Sequence, residues 1–171
     1  MFFGLRLALL AMVFAGFISA PLAAVGATAS AAPPAPSLRS TEWRVACDNN
    51  GKALDCQVNN QVIQPNGQPV ASIAVHPLAG GKTIAVVQLP LGIGFSAPVE
   101  LSVDARPAVI LTLDTCVAQG CIASGVLTDG FLADAEKGTK LTLAFGLGGR
   151  NVTMGVPLQG FGLGYGFITR K

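Results

Sequence analysis

Apolar and polar residues alternate along much of the chain. Val99, Leu101 and Val103 are separated by Glu100 and Ser102, and Leu111 and Leu113 by Thr112. Leu141, Leu143 and Phe145 alternate with Thr142 and Ala144, and Val152, Met154 and Val156 with Thr153 and Gly155. A period of two sends successive side chains to opposite faces, so each run predicts a half-buried antiparallel strand. Thr83 to Leu89 is more continuously apolar and predicts a central strand covered on both faces. Asn50-Gly51, Pro65-Asn66-Gly67, Gly80-Gly81 and Gly148-Gly149 supply turn residues tolerant of positive φ. Short strands punctuated in this way predict an all-β sandwich or barrel. One short helix is expected from Thr128 to Lys137: Thr128 or Asp129 can cap it, Phe131, Leu132 and Ala135 form its apolar stripe, and Gly138 stands where it would stop.

The tail departs from this pattern by alternating glycine with large residues: Gly160-Phe161-Gly162-Leu163-Gly164-Tyr165-Gly166-Phe167. Glycine-rich loops cradle phosphate when a strand leads through them into a helix. Gly148-Gly149 lies between two strand-like runs instead and predicts a hairpin. Read as an extended edge segment, the tail packs its large side chains while its glycines permit close backbone approach. The same period would offer Phe161, Tyr165 and Phe167 toward one side, which makes them the candidate partner-binding residues.

The N-terminus adds an address. Arg6 is the only charge before Arg39, and Leu7 to Ile18 forms an apolar core of signal-peptide length. Ala27-Thr28-Ala29 and Ala29-Ser30-Ala31 fit small-x-small cleavage sites. Pro21 and the small residues after it interrupt the ~20 apolar residues that a membrane anchor needs. The organisation expected is a signal peptide over 1–31, a Pro/Ala-rich flexible tether over 32–40 and one domain over 41–171. No later segment predicts a transmembrane span. The formal net charge is +2, falling to about +1 without Arg6. Its basic residues are scattered, which argues against a nucleic-acid partner.

An exported chain with four cysteines is expected to oxidise them. Four cysteines allow three pairings, which sequence does not choose among. Cys47–Cys56 and Cys116–Cys121 are favoured because each pair brackets one apparent turn. Zinc knuckles, redox sites and haem attachment use C-x-x-C spacings that are absent here, so neither metal nor cofactor is expected. His76 is the single histidine. As a base it would need a nucleophile and an orienting carboxylate from Ser72, Ser96, Asp104 and Asp114. A structural place at a strand end, before Pro77 and Gly80-Gly81, is the simpler reading. Trp43, Val45 and Cys47 share one face of a strand by alternation, so Trp43 is expected to pack in the core on a disulfide.

Glu42-Trp43-Arg44-Val45-Ala46-Cys47 resembles the opening of the invasion-associated locus B family, in which a tryptophan shortly precedes the first cysteine. Leu89-Pro90-Leu91-Gly92 with Val99 to Asp104 resembles its central strands, and Thr115-Cys116 with Gly120-Cys121-Ile122-Ala123 its second cysteine motif. Lys137-Gly138 and Val156-Pro157-Leu158-Gln159-Gly160-Phe161 are similar to its C-terminal third. The resemblance spans Trp43 to about Tyr165 and implies an immunoglobulin-like antiparallel β-sandwich in the bacterial periplasm, with outer-membrane association or secretion as alternatives. The glycine-loaded tail departs from the more helix-friendly segment of that family. Two functions follow as expectations. One is a non-enzymatic envelope protein that binds an unknown protein or envelope component, in a host-cell setting. The other is a periplasmic small-ligand carrier or hydrolase with a pocket near His76. Intact-mass measurement on protein from an envelope fraction should find a mature chain beginning between about Ala29 and Ala32. A mass retaining Met1 to Ala20 would identify an anchored protein instead.

Overall fold

Side-chain alternation is realised as a large antiparallel sheet. The structure is a computed structural model that describes residues 38–49, 51, 54–94 and 97–170. The expected signal peptide, most of the tether and Ser96 lie outside the described residues. The strands are β1 (Arg39–Ser40), β2 (Arg44–Asn49), β3 (Leu54–Ile63), β4 (Pro69–Pro77), β5 (Thr83–Leu89), β6 (Val99–Val103), β7 (Val109–Val117), β8 (Gly120–Leu127), β9 (Lys140–Leu147) and β10 (Arg150–Pro157). Two helices, α1 (Asp129–Lys137) and α2 (Phe161–Thr169), complete the domain.

The spatial order is β1-β3-β4-β5-β8-β7-β6-β9-β10, with β2 also paired to β3. Arg39 and Ser40, expected to end the tether, instead stand opposite Ile63 and Val62. Buried Asn60 fixes this start: its Oδ1 accepts from Ser40 Oγ at 2.8 Å, and its Nδ2 donates to the Thr41 carbonyl. β7 changes partner along its length. Val109–Leu111 pairs with β6, while Thr112 onward pairs with β8. At that corner the chain runs close over Gly125, where a Cβ would stand 2.7 Å from Leu111 Cδ2. A strand shared in this way joins what would be two sheets into one continuous, nearly closed sheet. The expectation of antiparallel all-β structure is therefore met, in barrel-like form.

Each strand keeps its predicted inward face. Val99, Leu101, Val103, Leu141, Leu143, Phe145, Met154 and Val156 are all buried. β5 is central, as expected, but it is covered on one face only: Ile84, Val86 and Gln88 look outward while Ala85, Val87 and Leu89 are buried. The β9–β10 hairpin closes from Leu147 to Arg150 over Gly148 (φ 56°) and Gly149 (φ 78°). Both central residues have positive φ, the geometry that matches strand twist.

Helix α1 forms where its signals place it. Thr128 Oγ1 accepts from the Phe131 amide at 3.1 Å, Asp129 and Lys137 complement the helix dipole, and Phe131, Leu132 and Ala135 are buried. The tail corrects the expectation of a single helix, because Phe161–Thr169 is helical. Three interior glycines cost ~1 kcal/mol each relative to alanine, so close packing must offset them. A Cβ on Gly162 would stand 3.2 Å from the Glu136 carbonyl of α1, and one on Gly164 would stand 3.2 Å from Val58 Cγ1 of β3. Gly162 and Gly164 thus seat α2 against both α1 and the sheet, while Gly166 faces open space.

Helical geometry also splits the large residues. Positions two apart lie about 200° apart around a helix, so alternate side chains go to opposed faces. Phe161 (2% exposed) and Tyr165 (8%) enter the core, while Leu163 (80%) and Phe167 (64%) face outward. Phe161, Tyr165 and Phe167 therefore do not share a side. This division generates a test by thermal and denaturant unfolding. Phe161→Ala should cost ~3–5 kcal/mol, whereas Leu163→Ala should change stability by no more than about 0.5 kcal/mol. Equal losses would refute the helical arrangement.

Candidate functional site

Two regions concentrate the residues singled out by sequence: the cysteine hairpins and the seat of α2. Cys47 and Cys56 face each other in register across β2 and β3, with sulfurs 2.06 Å apart. Cys116 and Cys121 do the same across β7 and β8, at 2.02 Å. Each bond closes a short loop, so the chain-entropy model assigns it roughly 2–3 kcal/mol. Gly120 (φ 135°) lets the second hairpin lie directly on the Leu89 carbonyl, and a side chain there would collide with backbone.

Trp43 is buried, and the partner its ring is seen to meet is aromatic. Its ring meets Phe161 edge-on at 5.0 Å between centroids, and Phe161 stacks on Tyr165 at 5.7 Å. Val45, expected on the same inward face as Trp43, is instead exposed beside Gly164. Trp43 Nε1 donates to the Pro157 carbonyl at 2.8 Å, and the Tyr165 hydroxyl shares a 2.8 Å hydrogen bond with buried Thr83. Phe161 and Tyr165 are thus committed to the interior. Of the three tail candidates, only Phe167 is free to meet a partner. Its neighbour one turn away, Leu163, shares that outward face. The i, i+4 spacing of these two residues was the available signal, hidden because a period of two contains a spacing of four.

Leu163 also rims a shallow cavity of ≈470 Å³ that reaches Trp43 and Pro157. Together, Leu163 and Phe167, one turn apart, make an apolar ridge on the outward face of α2. Exposed Gln64–Gln68 forms a tight turn, with the Gln64 amide donating to the Gln68 carbonyl at 2.8 Å.

His76 occupies the end of β4, beside the turn, as its structural reading expected. Its Nε2 lies 3.2 Å from Asp55 Oδ1, with the two side chains 22% and 54% exposed. The residues considered as catalytic partners do not gather around it. Ser72 is four positions back on β4, Asp114 is in β7, and Ser96 is outside the described residues. Asp104 bonds elsewhere: its carboxylate accepts from Thr139 Oγ1 at 2.6 Å and from the Thr139 and Lys140 amides. Hydrogen bonding, led by the Thr139 hydroxyl, holds this carboxyl below the usual range. Its backbone is left-handed, at φ 47°. Among the described residues, no cluster of His, Cys, Asp and Glu is placed to hold a metal ion. Nor is any described helix long and apolar enough to cross a membrane.

A curled antiparallel sheet with two disulfide-clasped hairpins and a helix pair defines a small, disulfide-bonded all-β domain. Residues 43–168 match the invasion associated locus B (IalB) protein family, and the chain belongs to that family. Invasion protein B homologs of Brucella abortus strain 2308 and of Brucella abortus biovar 1 strain 9-941 are each 27% identical over 124 residues, covering 71% of this chain and 72% of theirs. The crystal structure of invasion associated protein B from Bartonella henselae is 25% identical, with a TM-score of 0.68 over 74% of this chain and 89% of that one.

The Tyr165–Thr83 hydrogen bond gives the site a direct check. Removing the phenolic oxygen in Tyr165→Phe leaves the buried Thr83 hydroxyl without its partner and should cost roughly 1–3 kcal/mol in denaturant unfolding. Unchanged stability would show that this bond does not anchor the helix.

Proposed function

We propose that the protein is an exported periplasmic envelope component that works by binding another macromolecule, not by catalysis. The observation that carries this reading is the ridge of Leu163 and Phe167. Both side chains are largely exposed, on a helix whose opposite face is locked into the core by Phe161 and Tyr165. Exposed apolar groups on a rigid element present contact area at little ordering cost. The scattered charge gives no electrostatic attraction for DNA, so the contact rests on shape and apolar burial. The relatives are named for invasion, and we extend that setting to this chain as contact with a host or envelope protein. We also read the sheet as an immunoglobulin-like sandwich whose two halves have fused through β7.

Crosslinking in cells, followed by identification of captured proteins, tests the reading. Leu163→Ser combined with Phe167→Ser should reduce capture of the identified partner by roughly tenfold or more, as expected for two apolar contacts, with the melting temperature nearly unchanged. Equal capture by the folded double variant would remove the ridge from the contact. Substrate turnover that disappears in folded His76→Ala would replace binding with catalysis.

A further inference from the structure

The outer face of the sheet carries a polar row unrelated to the α2 ridge. Gln61 stands opposite Ser72, and Ser72 opposite Gln88, on β3, β4 and β5. Residues directly opposite on neighbouring strands project to the same face. The three side chains therefore form a continuous amide–hydroxyl–amide strip. They help line a cleft of ≈340 Å³, with Pro90 and Leu91 among its apolar walls and Gln119 of the Cys116–Cys121 hairpin beside them. That volume falls within the small-ligand range of roughly 300–1,000 Å³.

The cleft is built rather than incidental. Gln88 Nε2 donates to the Gln119 carbonyl at 3.1 Å, which ties the hairpin to the strip and, among the described residues, leaves the Gln88 amide oxygen free to accept. Gly120 permits that hairpin to rest on the Leu89 backbone. Among the described residues, the side chains of Gln61 and Ser72 make no hydrogen bond, so their donors and acceptors are available.

We propose that this cleft binds a neutral oligosaccharide. Among the described residues no ionisable group lines it, so none of them compensates the desolvation of a charged ligand. Amides and hydroxyls both donate and accept, matching sugar hydroxyls that do the same. The aliphatic faces of Pro90 and Leu91 suit the C–H face of a pyranose ring. A peptide is the poorer match because the polar strip itself lies in mid-sheet. At Ser72, β4 is paired on both sides, to Gln61 of β3 and Gln88 of β5, and Gln88 is paired in turn to Ile122 of β8. Along the strip an incoming strand would find no free main-chain edge to extend.

Titration of the ¹⁵N-labelled mature protein with chitotetraose, cellotetraose and a neutral Ser/Gln pentapeptide tests the proposal. With at least one sugar, the side-chain amide resonances of Gln61, Gln88 and Gln119 should shift and saturate. Saturation with chitotetraose alone identifies an N-acetylated glycan, and saturation with cellotetraose a plain hexose chain. Ser72→Ala, which breaks no internal hydrogen bond, should weaken binding roughly fivefold, as should Gln61→Leu. No saturable shift with either sugar at concentrations on the order of 10 mM, shifts confined to other residues, or saturation by the peptide alone would overturn the site.

Discussion

The edge-to-face contact between Trp43 and Phe161 is the constraint on which the architecture turns. Trp43 lies just ahead of β2 at one margin of the sheet, and its indole nitrogen reaches the Pro157 carbonyl at the end of β10, the other margin. Phe161 opens α2 and continues the aromatic stack through Tyr165 to Thr83 on central β5. One aromatic column therefore links both margins, the middle of the sheet and the C-terminal helix. Aromatic pairs contribute about 0.5–1.5 kcal/mol beyond their buried area. Here the larger effect is positional, since the pair decides where the seam closes and which way the helix faces.

That closure also protects the sheet. Open strand edges invite other chains to pair with them. Pro157 offers no N–H at the end of β10, and its carbonyl is occupied by Trp43. The short β1 lies along the same stretch of β3 that β2 leaves uncovered. Contacts with other molecules are thereby directed away from this part of the margin and toward side chains.

The strands were largely legible in the sequence because burial on one face writes a period of two directly into residue type. Val99–Val103 and Leu141–Phe145 are examples, and α1 carried a cap, a stripe and a stop in their proper order. The cysteine pairs were legible as candidates because each brackets a turn, although three connectivities fitted the composition. The tail was misread for a physical reason. Glycine masks helix propensity, and the contacts that reward it come from Val58 and Glu136, more than twenty residues away in the chain. The same error placed Tyr165 beside Phe167 when the helix turns them apart. The Gln61–Ser72–Gln88 strip was equally invisible, since it exists only after three strands have found their register.

The placement of the cysteines has a consequence for how the oxidised protein comes into being. Sequence separations of 9 and 5 keep each bond inside its own hairpin. Loop closure over so few residues carries a small entropic cost, and hairpins form within microseconds. Each pair of thiols can therefore meet before β6, β9 and β10 join the sheet. A crossed pair would require distant segments to find each other first. Correct oxidation is consequently a local outcome of early hairpin closure, available to a newly made chain without prior assembly of its core and with little need for disulfide reshuffling afterwards.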